Sequence, residues 1–580
     1  MTKDDVADAL DEIGALLELK GENAFRCNAY FNGARTVRQL PDDLGDVVAQ
    51  DRLGDVRGIG DTLREKIVTL VKTGRLPFLE TLRDEVPAGL IEMRRLPGLG
   101  AKKIKSLHEA LGVDTVAKLK TACESGAVAA VSGFGAKTQA KLLESIRFLG
   151  QVGNRLRIDQ ALPLGEALLR QIKAMPGVIR AELCGSLRRR RETAKDIDIL
   201  ASAVDAGPIM DAFVKLPEVM QVTGHGPTKS SVVAVMHADS EKVILNADLR
   251  VVTDDLFPFG VHYFTGSKAH NIRMRQRAIE KGWLLSEYGL GSEENPIACA
   301  TEEDIFTALG LAYIPPELRE DTGEIEAAAD KKLPALVTLG NLRGVFHNHT
   351  TYSDGSATLE EMALGAKRLG FEYFGVGDHS QSLTVARGMS PAAVRKQWAE
   401  IDRVNKKLTG VRIIKGVESD ILADGSLDYD DDLLAGFDYV VGSVHSLFGM
   451  PEAEMTARVC RAVAHPRLTM LGHATGRLLL RRDGYKIDLD AVLKAAAKHG
   501  KMIEINAHPA RLDLDWVHVK RAKAMGIPIV INPDAHNPDD LALVRFGVDV
   551  ARRGWLTRDD VFNTRSVNEV MAELIRRKSA

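Results

Sequence analysis

The chain has 580 residues, 45% of them hydrophobic and 27% charged, and a formal net charge of −3. That length exceeds a single core and predicts two to four domains, while no apolar run reaches the roughly 18 to 20 residues of a bilayer span. The start "MTKDDVADAL" lacks a signal-peptide profile, and Cys27, Cys123, Cys184, Cys299 and Cys460 stand singly without a CxxC. The reading is therefore a cytoplasmic protein without membrane partners, disulfide framework or zinc ribbon, its cysteines serving as small buried hydrophobes.

Residues 1 to 150 read as helices with short turns, in which a Gly-apolar-Gly signal recurs. It carries Gly58 and Gly60 in "VRGIGDTLREKI", Gly98 and Gly100 in "LPGLGAKKIKSL", and Gly133 and Gly135 in "VSGFGAKTQAKLL". Glycines let backbone approach a ligand closely, and the N–H groups opening the next helix favour an anion. One copy fits a plain helical-hairpin turn equally well. Repetition with basic residues following favours a phosphate grip without sequence preference.

From about residue 155 the apolar runs "IRAELCGS", "DIDILAS", "SVVAVM" and "VILNADLRVV" read as strands of one sheet. In "CGSLRRRRETAKDIDIL", Asp196 and Asp198 alternate on a strand and so face one way, and Asp248 lies on a strand that can pair beside them. A solvated strand face is the plain alternative for the acids, and the preceding GS-x-RR weakens it. Converging carboxylates without a basic partner call for divalent cations, and oxygen ligands favour Mg²⁺ or Mn²⁺. A metal pair suits nucleotidyl transfer, with Gly185, Ser186 and Arg189 cradling a triphosphate. Residues 259 to 313 mix helix and short strand. The charged, proline-bracketed segment 316–342 reads as a linker.

"CGSLRRRRETAKDIDIL" and "HYFTGSKAHNIRMRQRAIEKGW" resemble the palm and thumb signatures of family X DNA polymerases, the DNA polymerase beta group. The resemblance implies Asp196, Asp198 and Asp248 as catalytic metal ligands and Ser186 and Arg189 on the triphosphate. It also implies Tyr263, Phe264 and Gly266 lining the sugar pocket, and Asn271 and Arg275 contacting the incoming nucleotide and template. The Gly-rich turns then match helix-hairpin-helix units that hold DNA on either side of a gap. Lys66 aligns with a lysine that forms a Schiff base with abasic sugar in some members. Thr62 stands where those members are basic, and a phosphate-contacting lysine is an equal reading.

Ten of the 15 histidines lie beyond residue 340, where apolar strands alternate with helical stretches and predict a parallel barrel. Functional residues in such barrels gather at the C-terminal strand ends. "GVFHNHTTYSDGS" gives His347, His349 and Asp354 there, and "YFGVGDHS" gives Asp378 and His379. Glu418, His445, His473, Asp534 and His536 end "VRIIKGVES", "YVVGSVHS", "TMLGHATG" and "PIVINPDAH". His465, His499 and His518 read as surface, and His508 is left unassigned.

The set resembles the PHP domain, named for polymerase and histidinol phosphatase, a distorted (β/α)7 barrel. The resemblance implies three divalent metals, Zn²⁺, Mn²⁺ or Fe²⁺. One is held by His347, His349 and Asp534. A second is held by His445 and His473 with Glu418 bridging, and a third by Asp354, His379 and His536. Such clusters activate water against phosphate esters.

In order, the resemblances match the bacterial PolX-type DNA polymerases and predict a multidomain chain of α and α/β parts. Its expected parts are an 8-kDa-like helical domain (1–80), a second helix-hairpin-helix domain (81–152), a nucleotidyltransferase palm (153–258), a thumb (259–315), the linker (316–342) and the PHP domain (343–580). The implied activity is gap filling with dNTPs on gapped or nicked duplex DNA, by a monomer associated with the nucleoid. A PHP 3′-5′ exonuclease accompanies it, with apurinic-site endonuclease or 3′-phosphodiesterase activity open on the same metals. The rival reading makes the PHP domain a metal-stabilised scaffold. The filled ligand positions argue against it.

Overall fold

The computed structural model describes residues 3–38, 40, 44–56, 58–93, 96, 99–152, 155–238 and 241–579; Gly98 lies outside them. The chain forms two compact units, Met1–Asn154 with Val235–Ile244, and Arg155–Ala234 with Leu245–Ala580. No described helix is long and apolar enough to cross a membrane. Cys27, Cys123, Cys184 and Cys299 are buried, Cys460 partly so, and all are free thiols.

The first unit is helical apart from the strand residues of Val235–Ile244. One apolar cluster runs from Val6 to Ile146, so the two helical domains expected at 1–80 and 81–152 share a core. Helices Asp61–Thr73, Ala101–Leu111 and Ala136–Val152 each begin directly after the second glycine of a Gly-apolar-Gly turn. Gly58 and Gly133 adopt φ of +98° and +82°, a region that side-chain-bearing residues rarely enter. Among the described residues, a β-carbon added at Gly60, Gly100 or Gly135 would meet nothing within 4 Å, which leaves the backbone at these three glycines open to approach.

The palm sheet, which lies in the second unit apart from the stretch Val235–Ile244, comprises β1 (Val178–Leu183), β2 (Asp196–Ala203), β3 (Val219–His225), β4 (Lys229–Ala238) and β5 (Glu241–Val252), in the order β1-β2-β5-β4-β3. β2 and β5 run parallel, with Asp198 directly opposite Asp248. Along β2 the acids alternate with buried Ile197 and Ile199, so burial of the isoleucines fixes which way the carboxylates face.

The segment expected as a linker is instead packed. Leu318, Ile325 and Ala328 join the thumb core around Phe306 and Met274. Arg319 is fully buried, its guanidinium 2.5 Å from Glu302 Oε1 and 5.0 Å from the Phe306 ring centre. The charges that suggested solvent exposure are satisfied by partners distant in sequence, which composition cannot reveal.

The barrel strands are β6 (Gly344–Asn348), β7 (Tyr373–Val376), β8 in two pieces (Arg412–Ile414 and Gly416–Asp420), β9 (Tyr439–Ser443), β10 (Met470–Leu471), β11 (Met502–Asn506) and β12 (Ile529–Asn532). All pair parallel, with a break at Lys415 and closure through a bridge from Asn348 to Ala535. Phe346, Tyr373, Ile414, Tyr439, Met470, Met502 and Val530 fill the interior. Seven strands, interrupted once and closed by a bridge, make the distorted barrel that was expected.

Candidate active sites

The palm site is built on the short turn Gly185–Arg188 after β1 and on the facing residues of β2 and β5. Gly185 has φ of +59°, and a β-carbon on it would lie 2.2 Å from Asp198 Oδ2, so the carboxylate nests against bare backbone. Ser186 Oγ is buried and makes no hydrogen bond, which leaves a donor for a ligand. Burial, then the nearby charges of Asp196 and Asp248, push the Asp198 carboxyl up to about 6. Lys229 on β4 places Nζ 2.7 Å from Asp248 Oδ2, a cation that the sequence reading missed. Three carboxylates, one of them reluctant to ionise, fit hard divalent cations such as Mg²⁺ or Mn²⁺.

The other expected nucleotide contacts fall around this turn. Arg189 does not point freely into the site: Nε lies 3.2 Å from Glu320 Oε1, and Nη1 donates to the Thr265 carbonyl beside Gly266. The Tyr263 and Phe264 rings meet edge to face at 5.2 Å. Asn271 is buried, donating through Nδ2 to the Tyr263 carbonyl at 2.8 Å while Oδ1 makes no hydrogen bond. Arg275 is exposed on the same helix, Lys268–Glu280. In the first unit, Lys66 Nζ lies 4.8 Å over the Phe78 ring.

At the barrel mouth all nine expected residues come together, in overlapping groups that suit metal ions. These are His347, His349 and Asp534; His347, Glu418 and His473; His379, Glu418 and His445; and His349, Asp354, His379 and His536. Glu418 is the hub. His473 and His445 direct Nε2 at its Oε1 from 2.9 and 3.3 Å, and His379 Nδ1 lies 2.7 Å from Oε2. The groups place His349 with the third set and His347 beside Glu418, so ligands are shared more widely than three separate triads. His347 Nε2 lies 3.1 Å from Glu418 Oε1 and His349 Nε2 3.1 Å from Asp534 Oδ1, so buried imidazole nitrogens face carboxylates across gaps that a cation could bridge. Burial and the neighbouring His379 and His536 rings drive His349 down to about 4. Burial also opposes charge on His379, but Glu418 and Asp354 outweigh it and hold that ring up at about 10.

An orienting layer surrounds the ligands. Buried Glu504 accepts from His347 Nδ1 at 2.6 Å, from the His473 backbone N–H at 2.7 Å and from Asn532 at 2.9 Å. Asp420 lies 2.5 Å from His445 Nδ1. Asp378 sits on the rim, but its oxygens are taken by Thr350, Ser353 and Gln397, so it braces the loop that carries Asp354. Sequence carried a signal for two of these: Asp420 follows Glu418 at strand spacing, and Glu504 interrupts the apolar strand "MIEIN".

Comparison with known proteins places the chain in a family. Residues 1–76 match a helix-hairpin-helix domain, 90–147 a SAM-like helix-hairpin-helix tandem, 260–320 the DNA polymerase beta thumb and 346–508 the PHP domain. The chain is 38% identical over 578 residues to the DNA polymerase/3′-5′ exonuclease PolX of Bacillus subtilis (strain 168), covering 99% of this chain and all of that protein. The chain belongs to the PolX family. Probable phosphatases resemble a shorter part of the chain. One from Thermoanaerobacter sp. (strain X514) is 29% identical over 229 residues, 38% of this chain and 89% of the relative. Another from Acetivibrio thermocellus is 28% identical over 199 residues, 33% and 78% respectively. The PolX architecture of helix-hairpin-helix units, polymerase core and PHP barrel thus accounts for the whole chain, and its two sites call for divalent metals.

Proposed function

We propose that the chain fills short gaps in duplex DNA by template-directed dNTP addition and trims 3′ ends at its PHP barrel as a 3′-5′ exonuclease. The observation that carries the reading is the pairing of two separate metal-suited constellations in one chain: Asp198 opposite Asp248 behind the Gly185 turn, and nine ligands around Glu418. Asp196, Asp198 and Asp248 would hold Mg²⁺ or Mn²⁺, which lowers the cost of charge on the attacking and leaving oxygens. Gly185 brings backbone within reach of the phosphates and Ser186 Oγ offers them a hydrogen bond, with Arg189 joining once it leaves Glu320. Tyr263, Phe264 and Gly266 bound the sugar, while Asn271 and Arg275 reach the base pair.

At the barrel, Glu418 would bridge ions held by His347, His349, Asp534, His445 and His473, with Asp354, His379 and His536 holding a third. Mixed imidazole and carboxylate donors suit Zn²⁺, Mn²⁺ or Fe²⁺. Open backbone at Gly60, Gly100 and Gly135 supports sequence-independent binding of gapped or nicked DNA, and the reading takes the protein to act as a monomer in the cytoplasm.

The test is one labelled, gapped duplex with Mn²⁺, with and without dNTPs. Asp248→Ala should lose extension and keep trimming, and Asp534→Ala should do the reverse once its fold is verified. Loss of trimming in folded Asp248→Ala, with Asp534→Ala still trimming, would move the nuclease to the palm and leave the barrel a scaffold.

A further inference from the structure

Immediately after the Gly185 turn the chain reads Arg188-Arg189-Arg190-Arg191-Glu192, and every one of these side chains is tied to a residue outside the palm. Arg188 pairs with Glu302 at 2.8 Å, and against its burial Glu302 is held well below the usual carboxylate range by Arg319 and Arg188. Arg189 and Arg191 share Glu320, at 3.2 and 3.6 Å. The remaining two reach the barrel: Arg190 lies 4.0 Å from Asp549, and Glu192 accepts from Arg477 at 2.8 Å. The segment also bonds back onto the turn, Arg189 N–H to the Gly185 carbonyl and Arg191 N–H to the Ser186 carbonyl. Arg190 sits at φ of +54°, a left-handed conformation that needs outside support in a residue with a side chain.

Arg553, on the barrel helix Val544–Arg553, grips the same point from below. It is buried and lies 4.9 Å over the Trp516 ring, donates through Nη1 to the Arg189 carbonyl at 2.6 Å, and places Nη2 3.1 Å from Glu320 Oε1. Resting on the polymerase reading above, we propose that the PHP barrel supplies positioning residues to the nucleotidyl-transfer site. Arg553, supported by Arg477, fixes the Arg189 backbone and shares Glu320, so that the Arg189 guanidinium can exchange Glu320 for an incoming triphosphate. The exchange is favourable because a buried carboxylate left alone is costly, whereas Glu320 keeps Arg553 and Arg191 when Arg189 departs. Guanidinium meets phosphate oxygens in the same forked geometry that it gives up at the carboxylate. Without Arg553, Arg189 becomes the main partner of Glu320 and is retained there, and the nucleotide loses a contact.

The experiment is single-nucleotide gap filling at varied dNTP concentration, with trimming measured on the same preparations. Arg553→Gln should raise the dNTP KM about tenfold with kcat changed less than about threefold, and combining it with Arg189→Ala should add little to Arg189→Ala alone. Arg477→Gln and Glu192→Gln, at less buried positions, should each raise KM by about threefold, and their double variant no further. Trimming should stay at the parental rate in Glu192→Gln. A folded Arg553→Gln with parental KM overturns the proposal. If Arg553→Gln does not fold, parental KM in both Arg477→Gln and Glu192→Gln, or additive effects in their double variant, overturns it instead. A parent that does not extend at all refutes the polymerase reading itself, which separates the two failures.

Discussion

Gly185 is where the palm site is most sensitive to a single methyl group. A β-carbon there would lie 2.2 Å from Asp198 Oδ2, against an ordinary contact of 3.4 Å or more, so Gly185→Ala must push the carboxylate by about 1 Å. The residue also keeps φ of +59°, which costs an L-amino acid about 1–2 kcal/mol. The clash falls on the end of a side chain, which can turn aside, so the stability loss should stay near that backbone figure. Catalysis has no such freedom, because Asp198 must stay opposite Asp248 to share a cation with it. Displacing a reacting group by about 1 Å costs on the order of 10²-fold in rate. Gly185→Ala should therefore melt within several degrees of the parent, lose about 100-fold in kcat/KM for insertion into a one-nucleotide gap, and trim 3′ ends normally. Insertion within about threefold of the parent, in a folded variant, would refute the claim that bare backbone positions Asp198.

The raised Asp198 pKa of about 6 predicts proton competition with the palm cation: the Mn²⁺ needed for half-maximal extension should climb steeply below pH 6, by up to about tenfold per unit. The sign for stability follows, since the folded state holds this proton above the unfolded value of 3.8; the metal-free protein should lose stability from about pH 4 to pH 6, and equal Mn²⁺ requirements at pH 5 and 7.5 would contradict the shift. Gly60→Val and Gly100→Val meet nothing in the free protein, so they should leave the melting temperature nearly unchanged yet weaken gapped-DNA binding about tenfold in a salt titration; parental affinity would remove the phosphate grip. Glu504→Gln places an amide where three donors converge, so metal content by elemental analysis and trimming should drop about 10- to 100-fold while extension persists; full metal content would show that His347 needs no orienting.

Much of both sites was legible because strand periodicity is local. Asp196 and Asp198 declare a common face, and the rule that barrel chemistry lies at strand ends picks out ten residues from scattered segments, of which the fold groups all but Asp378. Charges whose partners are remote were not legible. The sequence reading used only Arg189 of the run 188–192, and the partners Glu302, Glu320, Arg477 and Asp549 of that run lie more than a hundred residues away. Arg319 and Glu324 look like linker charges and are fully buried. Lys229 has no motif around it, and only the pairing of β4 with β5 brings it to Asp248.

The two constellations differ in how they hold charge, and that difference suits their tasks. In the palm, Asp196 is exposed, Asp248 keeps 34% of its side-chain surface, and Lys229 already neutralises part of the site. Carboxylates in that state tolerate the absence of a cation, as a site must if metal arrives with each nucleotide and leaves with each product. At the barrel, Glu418 is 1% exposed, with the imidazoles of His347, His379, His445 and His473 all within 3.3 Å of its carboxylate. Buried charge of that density is expensive unless it is paired, so cations bound there would contribute to folding and exchange slowly. The contacts of Arg553 with Glu320 and with the Arg189 carbonyl then give the palm site a wall built on the barrel domain.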